Sequence, residues 1–335
     1  MKLAINGLGR IGRNVLRAHY ERPSSTKIQI AAVNELADLP TLAHLIQYDS
    51  THGRFQGRVS TIKDNLLLNK DEIAVSQVED INELNWQGID LVLECTGVYD
   101  KRSDAEIHLQ NGAKRVLFSQ PASSDVDLTL VYGINHKELK KEHKIISAAS
   151  CTTYSSVPVI KVLDDTLGIE NGMITTIHSA MNDQPLIDAY HHTNLRLTRS
   201  AFQSIIPVET ALAKGIERIL PTMAGKFEAQ AIRVPTINVS AIDLTIAVNK
   251  TCTVEDVNQI IKDASNLLPP DVLGYTDEPL ASCDFNHDPR SAIVDLGQTK
   301  VSGGKMVKIL VWFDNEWAYA NRMLDVAELI SDLSD

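Results

Sequence analysis

A cysteine and a histidine are the side chains of this sequence best suited to nucleophilic chemistry. Cys151 lies in the segment SCTT at the expected start of a helix, and His178 ends an apolar segment expected to be a strand. A helix N-terminus and a neighbouring imidazole both favour the thiolate, which is the nucleophilic form of cysteine. Taken singly, each residue is more often an inert core residue, and Cys95 in its apolar strand fits that interpretation.

A glycine-rich segment near the start of the chain, GLGRIG, predicts a dinucleotide site. It follows an apolar strand and opens a helix, which is the context that this motif requires. Gly7 permits the tight turn, Gly9 lets the backbone approach a pyrophosphate, and Gly12 allows close packing of helix and sheet. The backbone N–H groups of Arg10 and Ile11 are expected to face the phosphates.

An acidic residue, Glu35, stands at the expected end of the next strand. Its carboxylate is suited to accept hydrogen bonds from the adenine ribose and would repel a 2′-phosphate, which predicts NAD rather than NADP. The alternative is a glycine-rich turn that holds no ligand. A nucleophilic cysteine combined with a nicotinamide cofactor suggests oxidation of an aldehyde through a thioester.

Composition excludes several classes of protein. The 335 residues are 44% hydrophobic and 22% charged, which is typical of a folded protein of two domains, and the formal net charge of −11 argues against nucleic-acid binding. The four cysteines form no C-x-x-C pair and no cluster with metal-ligand spacing, so we expect no metal. Free thiols and the lack of an apolar run of about 18 residues favour a cytoplasmic protein rather than a membrane protein.

Hydrophobic periodicity predicts an α/β fold with two domains. Short apolar strands alternate with helices over residues 1–150, which indicates a Rossmann-type parallel-sheet domain for NAD. Residues 151–314 combine longer strands with helices and indicate an α+β catalytic domain with a mixed or antiparallel sheet. The expected helices cover residues 10–20, 105–111, 151–165, 254–268 and 316–333, and the expected strands cover residues 3–6, 27–34, 90–95, 115–119, 172–179, 227–234, 239–248 and 307–313.

Several longer segments resemble the glyceraldehyde-3-phosphate dehydrogenase family over nearly the whole chain. The segments that carry this resemblance are INGLGRIGR at 5–13, YDSTHG at 48–53, ECTG at 94–97, ASCTT at 149–153, RVPT at 233–236, DFN at 284–286 and WFDNEW at 312–317. The resemblance implies a Rossmann-type domain, a catalytic domain, a last helix (residues 315–335) that packs back on the NAD domain, and a homotetramer.

Other segments resemble the erythrose-4-phosphate dehydrogenase branch of that family. They are NELAD at 34–38, FSQP at 118–121, VYGIN at 131–135, HSAMNDQ at 178–184 and PTIN at 235–238. The branch implies oxidation of a sugar-phosphate aldehyde, erythrose 4-phosphate, to 4-phosphoerythronate, with a role in pyridoxal 5′-phosphate biosynthesis. Two alternatives remain open: a phosphorylating glyceraldehyde-3-phosphate dehydrogenase, and a non-catalytic NAD-binding protein.

The resemblance also implies roles for individual residues. Cys151 matches the nucleophile, His178 the residue that activates it, and Asn315 the asparagine that holds the nicotinamide carboxamide. Ser119 is expected near the cofactor ribose. The positions that match anion-binding residues are Ser150, Thr152, Arg196, Arg199, Thr210, Ala211 and Arg233.

Two positions depart from the family pattern. Leu197 stands where a second arginine usually reaches an anion subsite. Either Arg196 or Arg199 compensates, or the subsite binds inorganic phosphate weakly, and the second alternative fits release of the acid by water. Tyr154 replaces an asparagine in the first turn of the catalytic helix, and a bulky phenol there is expected to change the packing.

Overall fold

The computed structural model describes residues 1–22, 27–191 and 194–333. The chain divides into two compact units. One contains Met1–Ser150 together with the chain from Tyr319 onward, and the other contains Cys151–Ala318. Each unit is built around its own sheet, so each is described separately below.

Within the described residues, the first unit contains a nine-stranded sheet, a separate two-stranded sheet and several helices. In chain order its strands are β1 (Lys2–Asn6), β2 (Gln29–Asn34), β3 (Tyr48–Asp49), β4 (Gly53–Arg54), β5 (Val59–Ile62), β6 (Asn65–Leu68), β7 (Asp71–Ser76), β8 (Leu91–Glu94), β9 (Arg115–Phe118), β10 (Leu128–Thr129) and β11 (Ile145–Ser147). Its helices are α1 (Arg10–Glu21), α2 (Leu39–Gln47) and α3 (Arg102–Gln110).

The order of the strands in this sheet is β10-β11-β9-β8-β1-β2-β7-β6-β5. Neighbours from β10 to β7 are parallel, whereas β5, β6 and β7 form an antiparallel edge. The chain leaves β1 toward β2 on one side and returns to β8 on the other. In a parallel sheet this reversal creates a crevice at the carboxyl ends of the strands, where ligands bind.

Buried apolar runs form the centre of the first sheet. All four residues of β8, Leu91–Glu94, are buried, as are the last four residues of β1. Such near-continuous apolar strands are typical of parallel sheets covered on both faces. Helix α1 contributes Val15, Leu16 and Ala18 to the core, while its solvent face is polar.

The second unit has a mixed sheet. Its strands are β12 (Ile169–His178), β13 (Ile206–Val208), β14 (Phe227–Arg233), β15 (Ser240–Val248), β16 (Gly274–Thr276), β17 (Ile293–Ser302) and β18 (Met306–Phe313). Its helices are α4 (Cys151–Leu167), α5 (Leu212–Ile219) and α6 (Val254–Leu267). Helix α7 (Trp317–Asp332) begins in this unit, and most of it belongs to the first.

The order in this second sheet is β13-β14-β12-β15-β18-β17-β16. The β12–β14 and β16–β17 pairs are parallel and the other pairs are antiparallel. Helices α4 and α6 pack against these strands. The predicted fold class is therefore confirmed: a parallel-sheet NAD-binding region is followed by an α+β region with a mixed sheet.

The register of the second sheet places several polar residues at one edge. His178, at the end of β12, pairs with Arg233 at the end of β14. Ser240 at the start of the antiparallel β15 pairs with Phe313 at the end of β18. Asn315 lies two residues after the end of β18, so strand direction brings these polar positions to the same edge.

Bilayer-spanning helices are not found in the described part of the chain, where no helix combines the length and hydrophobicity that crossing requires.

Candidate active site

The predicted cysteine and histidine lie together in the second unit. Cys151 is the first residue of α4 and His178 is the last residue of β12. The Cys151 Sγ atom lies 4.0 Å from the His178 Nε2 atom. His178 is buried and Cys151 is partly buried. The structure thus joins two groups that are distant in the sequence, at a separation typical of a nucleophile and its base before substrate binds.

One hydrogen bond determines which nitrogen of His178 is basic. The His178 Nδ1 atom lies 2.8 Å from the Ser179 backbone oxygen. A carbonyl only accepts, so this bond requires the proton on Nδ1. In the neutral ring Nε2 then carries the lone pair and faces Cys151. The imidazole is held in the tautomer that can take the thiol proton.

Burial sets the protonation state of the resting pair. Burial raises the pKa of the Cys151 thiol to about 12, although the backbone N–H groups of Thr152 and Cys151 act to lower it. Burial also lowers the pKa of His178. The helix N-terminus thus favours the thiolate, as expected, but desolvation outweighs it and the pKa of the thiol is raised. At neutral pH the pair rests as thiol and neutral imidazole.

Asn315 is held by two serine hydroxyls in the same unit. The Ser179 hydroxyl donates to the Asn315 Oδ1 atom at 3.1 Å, and the Ser240 hydroxyl donates to the same atom at 2.9 Å. The Ser179 backbone N–H in turn donates to the Ser240 Oγ atom at 3.1 Å. Sequence reasoning missed both serines, although the position of Ser179 directly after His178 was a signal that could have found it.

The buried Asp314 carboxylate anchors the segment around Asn315. Its Oδ2 atom accepts from the Asn238 side chain at 2.9 Å and from the His287 backbone N–H at 2.7 Å. Its Oδ1 atom accepts from the backbone N–H groups of Glu316 and Trp317, at the start of α7. These bonds fix the loop between β18 and α7.

The glycine-rich segment of the first unit has the geometry of a phosphate-binding turn. Gly7 has a φ of +90°, and a Cβ there would lie 2.8 Å from the Thr96 Cα atom. A Cβ on Gly12 would lie 2.0 Å from the Gly7 carbonyl oxygen, whereas one on Gly9 would meet nothing within 4 Å. Gly7 therefore permits the tight turn, Gly9 leaves room for a pyrophosphate to approach the backbone, and Gly12 allows helix and sheet to pack closely, as the motif predicts.

Helix α1 begins in a way that suits an anion. Its N-cap is Gly9, which provides no side-chain hydrogen bond, and its first turn contains no acidic residue. The N-cap side chain therefore does not bond to the first N–H groups of the helix, and a helix start of this kind suits a phosphate. The Arg10 guanidinium itself forms an ion pair with Asp49.

The Glu35 carboxylate lies against the glycine-rich turn. Its Oε2 atom accepts from the Leu8 backbone N–H at 2.8 Å, and its Oε1 atom accepts from the Leu36 backbone N–H at 2.8 Å. The predicted ribose acceptor therefore stands beside the predicted pyrophosphate turn. The glycine N-cap, the tight glycines and this carboxylate together fit NAD and disfavour a 2′-phosphate.

Ser119 directly follows β9 at the same end of the first sheet, and its hydroxyl hydrogen-bonds Cys95.

Several of the predicted anion-binding residues lie at helix starts. Thr152 is in the first turn of α4, while Thr210 and Ala211 immediately precede α5, with Ala211 as its N-cap. Neither helix has an acidic residue in its first turn, and the two helices pack against each other. Helix N-termini favour anions, so these positions suit phosphate oxygens. Ser150 precedes Cys151 and ends the first unit.

The three predicted arginines differ in their surroundings. Arg233 is largely buried and donates to Asp183 at 2.6 Å. Arg199 forms an exposed ion pair with Asp188, and Arg196 is exposed. The structure therefore brings Arg233 to the sheet edge that carries His178, and places Arg199 in a surface pair. Sequence reasoning missed Asp183, although an acidic residue five positions after His178 could have indicated it.

Both departures from the family pattern are buried. Leu197 lies in a short 3-10 helix, Leu195–Thr198, and its side chain is packed inside. Tyr154, in α4, is among the largest fully buried side chains. Leu197 and Tyr154 are thus packing residues in this structure.

Metal chemistry has no support in the described residues, which contain no group of three or more histidine, cysteine, aspartate or glutamate side chains arranged to hold an ion.

Comparison with known families matches both parts of the chain. Residues 1–102 match the NAD-binding domain of glyceraldehyde 3-phosphate dehydrogenase, and residues 150–315 match the C-terminal domain of the same enzyme. The two matches cover most of the sequence and include the glycine-rich turn, Cys151, His178 and Asn315. NAD is therefore the cofactor, as predicted. The chain belongs to the glyceraldehyde 3-phosphate dehydrogenase family of NAD-dependent dehydrogenases.

Proposed function

We propose that this protein oxidises D-erythrose 4-phosphate to 4-phosphoerythronate with NAD⁺. The net reaction consumes aldehyde, NAD⁺ and water and yields carboxylate, NADH and two protons. The observation that carries the proposal is the Cys151–His178 pair, with Sγ and Nε2 4.0 Å apart and the tautomer of His178 fixed by Ser179. Following the branch resemblance, we further propose that the product enters pyridoxal 5′-phosphate biosynthesis.

The first step uses the two neutral groups of the resting pair. His178 Nε2 takes the proton of Cys151 as Sγ bonds to the aldehyde carbon, which gives a hemithioacetal and an imidazolium. The imidazolium N–H and the Cys151 backbone N–H then stabilise the developing oxyanion. Proton transfer during attack avoids a free buried thiolate, which the raised pKa of Cys151 makes costly.

The second step forms a thioester and the third hydrolyses it. NAD⁺, when bound, supplies the hydride acceptor. As the hydride leaves, the hemithioacetal oxygen becomes the thioester carbonyl. The His178 imidazolium then releases its proton to solvent. The neutral imidazole serves as general base for a water molecule that attacks the thioester, and it returns that proton to the leaving Cys151 sulfur, which regenerates the thiol and releases the acid. Asn315 is proposed to hold the nicotinamide carboxamide in place during hydride transfer.

Two features support water rather than inorganic phosphate as the acyl acceptor. Leu197 is uncharged and buried, so its position contributes no cation to an anion site. The Arg233 guanidinium already has a carboxylate partner in Asp183. One charged contact to phosphate is worth roughly 1.5–3 kcal/mol, so losing one weakens phosphate binding about tenfold or more.

The preference for the longer aldehyde rests on the residues after His178. The family usually carries Tyr-Thr where this chain has Ala180 and Met181, and that threonine helps hold the substrate phosphate. Met181 has no hydroxyl, and it is half-exposed. The replacement of that threonine by Met181 therefore fits a substrate other than glyceraldehyde 3-phosphate.

The runner-up function is a phosphorylating glyceraldehyde-3-phosphate dehydrogenase. The family match and the anion-suited starts of α4 and α5 favour it. A non-catalytic NAD-binding protein is the alternative from another class, and the assembled Cys151–His178 pair argues against it.

A direct assay separates the two enzymatic functions. NADH formation is measured with erythrose 4-phosphate and with glyceraldehyde 3-phosphate, each with and without inorganic phosphate. We expect higher kcat/KM for erythrose 4-phosphate and little dependence on phosphate. Higher kcat/KM for glyceraldehyde 3-phosphate in the presence of phosphate would contradict the proposal.

We also propose a cytoplasmic homotetramer, with no nucleic-acid or membrane partner. Support comes from an apolar stretch in the second unit, where Leu186, Ile187, Tyr190 and Leu195 are 68%, 79%, 82% and 85% exposed. Apolar side chains concentrated in this way are typical of a surface that another subunit covers. Native mass spectrometry is expected to give four subunits, and a monomer would contradict the proposal.

A further inference from the structure

Ser179 connects the catalytic histidine with Asn315 through three different atoms. Its carbonyl oxygen accepts from His178 Nδ1, its N–H donates to the Ser240 hydroxyl, and its own hydroxyl donates to Asn315 Oδ1. The residue is fully buried, so water does not compete for these bonds. One residue therefore serves the base through its backbone and Asn315 through its side chain.

The two serine hydroxyls fix the orientation of the Asn315 amide. Both donate to Oδ1, at 3.1 and 2.9 Å. A 180° rotation of the amide would turn Nδ2, which is a donor, toward the serines. The hydrogens of both serine hydroxyls would then lose Oδ1 as their acceptor. The Asn315 Nδ2 atom, which is a hydrogen-bond donor, therefore faces away from the serines.

The backbone beside Ser240 supports this arrangement. Val239 has a φ of +66°, in the left-handed region that a β-branched residue rarely adopts. Its side chain is buried against Phe285 and Ile293, which holds it there. Backbone strain of this kind concentrates at functional sites, where the surrounding structure keeps it in place. Here the strained residue directly precedes Ser240, whose hydroxyl donates to Asn315.

We propose that the Ser179 hydroxyl is a positioning group for the cofactor. Together with Ser240, it makes Asn315 present a donor to the carbonyl oxygen of the nicotinamide carboxamide, and so selects the orientation of the ring. This inference rests on the proposed role of Asn315 in holding NAD. Ser179 itself touches neither cofactor nor substrate.

The serine side chain can be tested apart from its backbone. S179A removes only the hydroxyl and leaves the carbonyl that holds His178. We expect the Kd for NAD⁺ to rise about threefold to tenfold, the effect of one neutral hydrogen bond. The Kd for ADP-ribose, which lacks the nicotinamide, should not change. The rate at which iodoacetamide alkylates Cys151 should also stay at the wild-type value.

A matched control lies on β12, three residues before Ser179. The Thr176 hydroxyl is buried and has no hydrogen-bond partner among the described residues. T176V removes this hydroxyl with little change in volume, so both dissociation constants should remain at their wild-type values. If T176V weakens NAD⁺ binding as much as S179A does, the effect of S179A comes from a general loss of packing rather than from its hydrogen bond to Asn315, and the proposal fails.

The double variant shows whether Ser179 acts through Asn315. In an N315A background, S179A should cause no further loss of NAD⁺ affinity. An unchanged Kd in S179A, equal weakening of NAD⁺ and ADP-ribose, or a full further loss in the double variant would each overturn the inference. These are binding measurements, so they stand whichever aldehyde is the substrate. Inactivity toward both sugar phosphates with normal NAD⁺ binding would contradict only the proposed function.

Discussion

Two cysteines of this chain have the same raised pKa and different surroundings. Burial raises the pKa of Cys95, in the first unit, to about 12, and burial raises the pKa of Cys151, in the second, to about 12 as well. Cys95 follows β8 and has a hydroxyl, that of Ser119, as its hydrogen-bond partner, with the charge of Glu94 close by. Cys151 has the basic nitrogen of His178.

The comparison shows that acidity alone does not identify a nucleophile in this fold. Neither thiol ionises readily, because a buried thiolate loses its hydration. A hydroxyl near Cys95 donates a hydrogen bond but is too weak a base to take the proton. An imidazole held in the right tautomer can take it during attack. The difference in expected reactivity therefore lies in the partner.

Removing each thiol in turn gives the largest expected contrast. C151A is expected to lower NADH formation by at least about 10⁴-fold while the Kd for NAD⁺ stays near wild type, because the covalent step is lost. C95A should retain most of the activity. Measurable turnover in C151A would show that the thioester mechanism is wrong.

Replacing the base should make the reactivity of the Cys151 thiol resemble that of Cys95. H178N is expected to lower kcat by about 10²–10⁴-fold, since the proton acceptor is lost. Stopped-flow measurement of the hydride-transfer step checks this. Iodoacetamide should also alkylate Cys151 more slowly, with Cys95 unchanged. Equal alkylation of Cys151 with and without the imidazole would contradict the assigned role.

The pH dependence of alkylation sharpens the comparison further. In H178N the thiolate fraction of Cys151 should rise about tenfold per pH unit through pH 10, because the pKa of the thiol is raised to about 12. Mass spectrometry of alkylated peptides over a pH series gives the rate for each cysteine. A plateau below pH 9 would show that burial does not control this thiol.

The smallest expected effect concerns stability. The pKa of Cys95 is raised from 9.0 to about 12, so the thiol stabilises the folded protein below pH 9, and this contribution is lost as pH rises toward 12. Between pH 8 and pH 10.5 the wild type should lose about 2 kcal/mol more free energy of unfolding than C95A. Urea unfolding at both pH values measures the difference. Parallel losses in the two proteins would rule out the titration of Cys95.

Much of the fold follows from local pattern. Helix α6 runs from Val254 to Leu267. A capping box between Thr253 and Asp256 marks its start at the predicted residue, and the helix ends one residue earlier than predicted. Strand β2 begins at Gln29, two residues later than expected. The antiparallel strands β5–β7 and the short helices α2 and α5 were not predicted. Each is short and partly exposed, so its hydrophobic periodicity is weak.

The candidate site was predictable in its chemistry and not in its connections. The types and contexts of Cys151 and His178 predicted a nucleophile and a base, and the structure places the two side chains together. The hydroxyl of Ser240 had no such signal, because serine is common and carries no charge, and Ser179 had only its position directly after His178. Only the pairing of β12 with β15 brings them together at Asn315. Asp183 lies beside Arg233 because β12 also pairs with β14.

The sequence by itself determined the glycine turn, the thiol, the imidazole and the alternation of elements, because these depend on residue type and local spacing. The tertiary structure decided which nitrogen of His178 faces Cys151, which atom of Asn315 faces outward, and that burial outweighs the helix N-terminus at the thiol. Hydrogen-bond partners and desolvation arise from residues far apart in the chain, so no local pattern contains them.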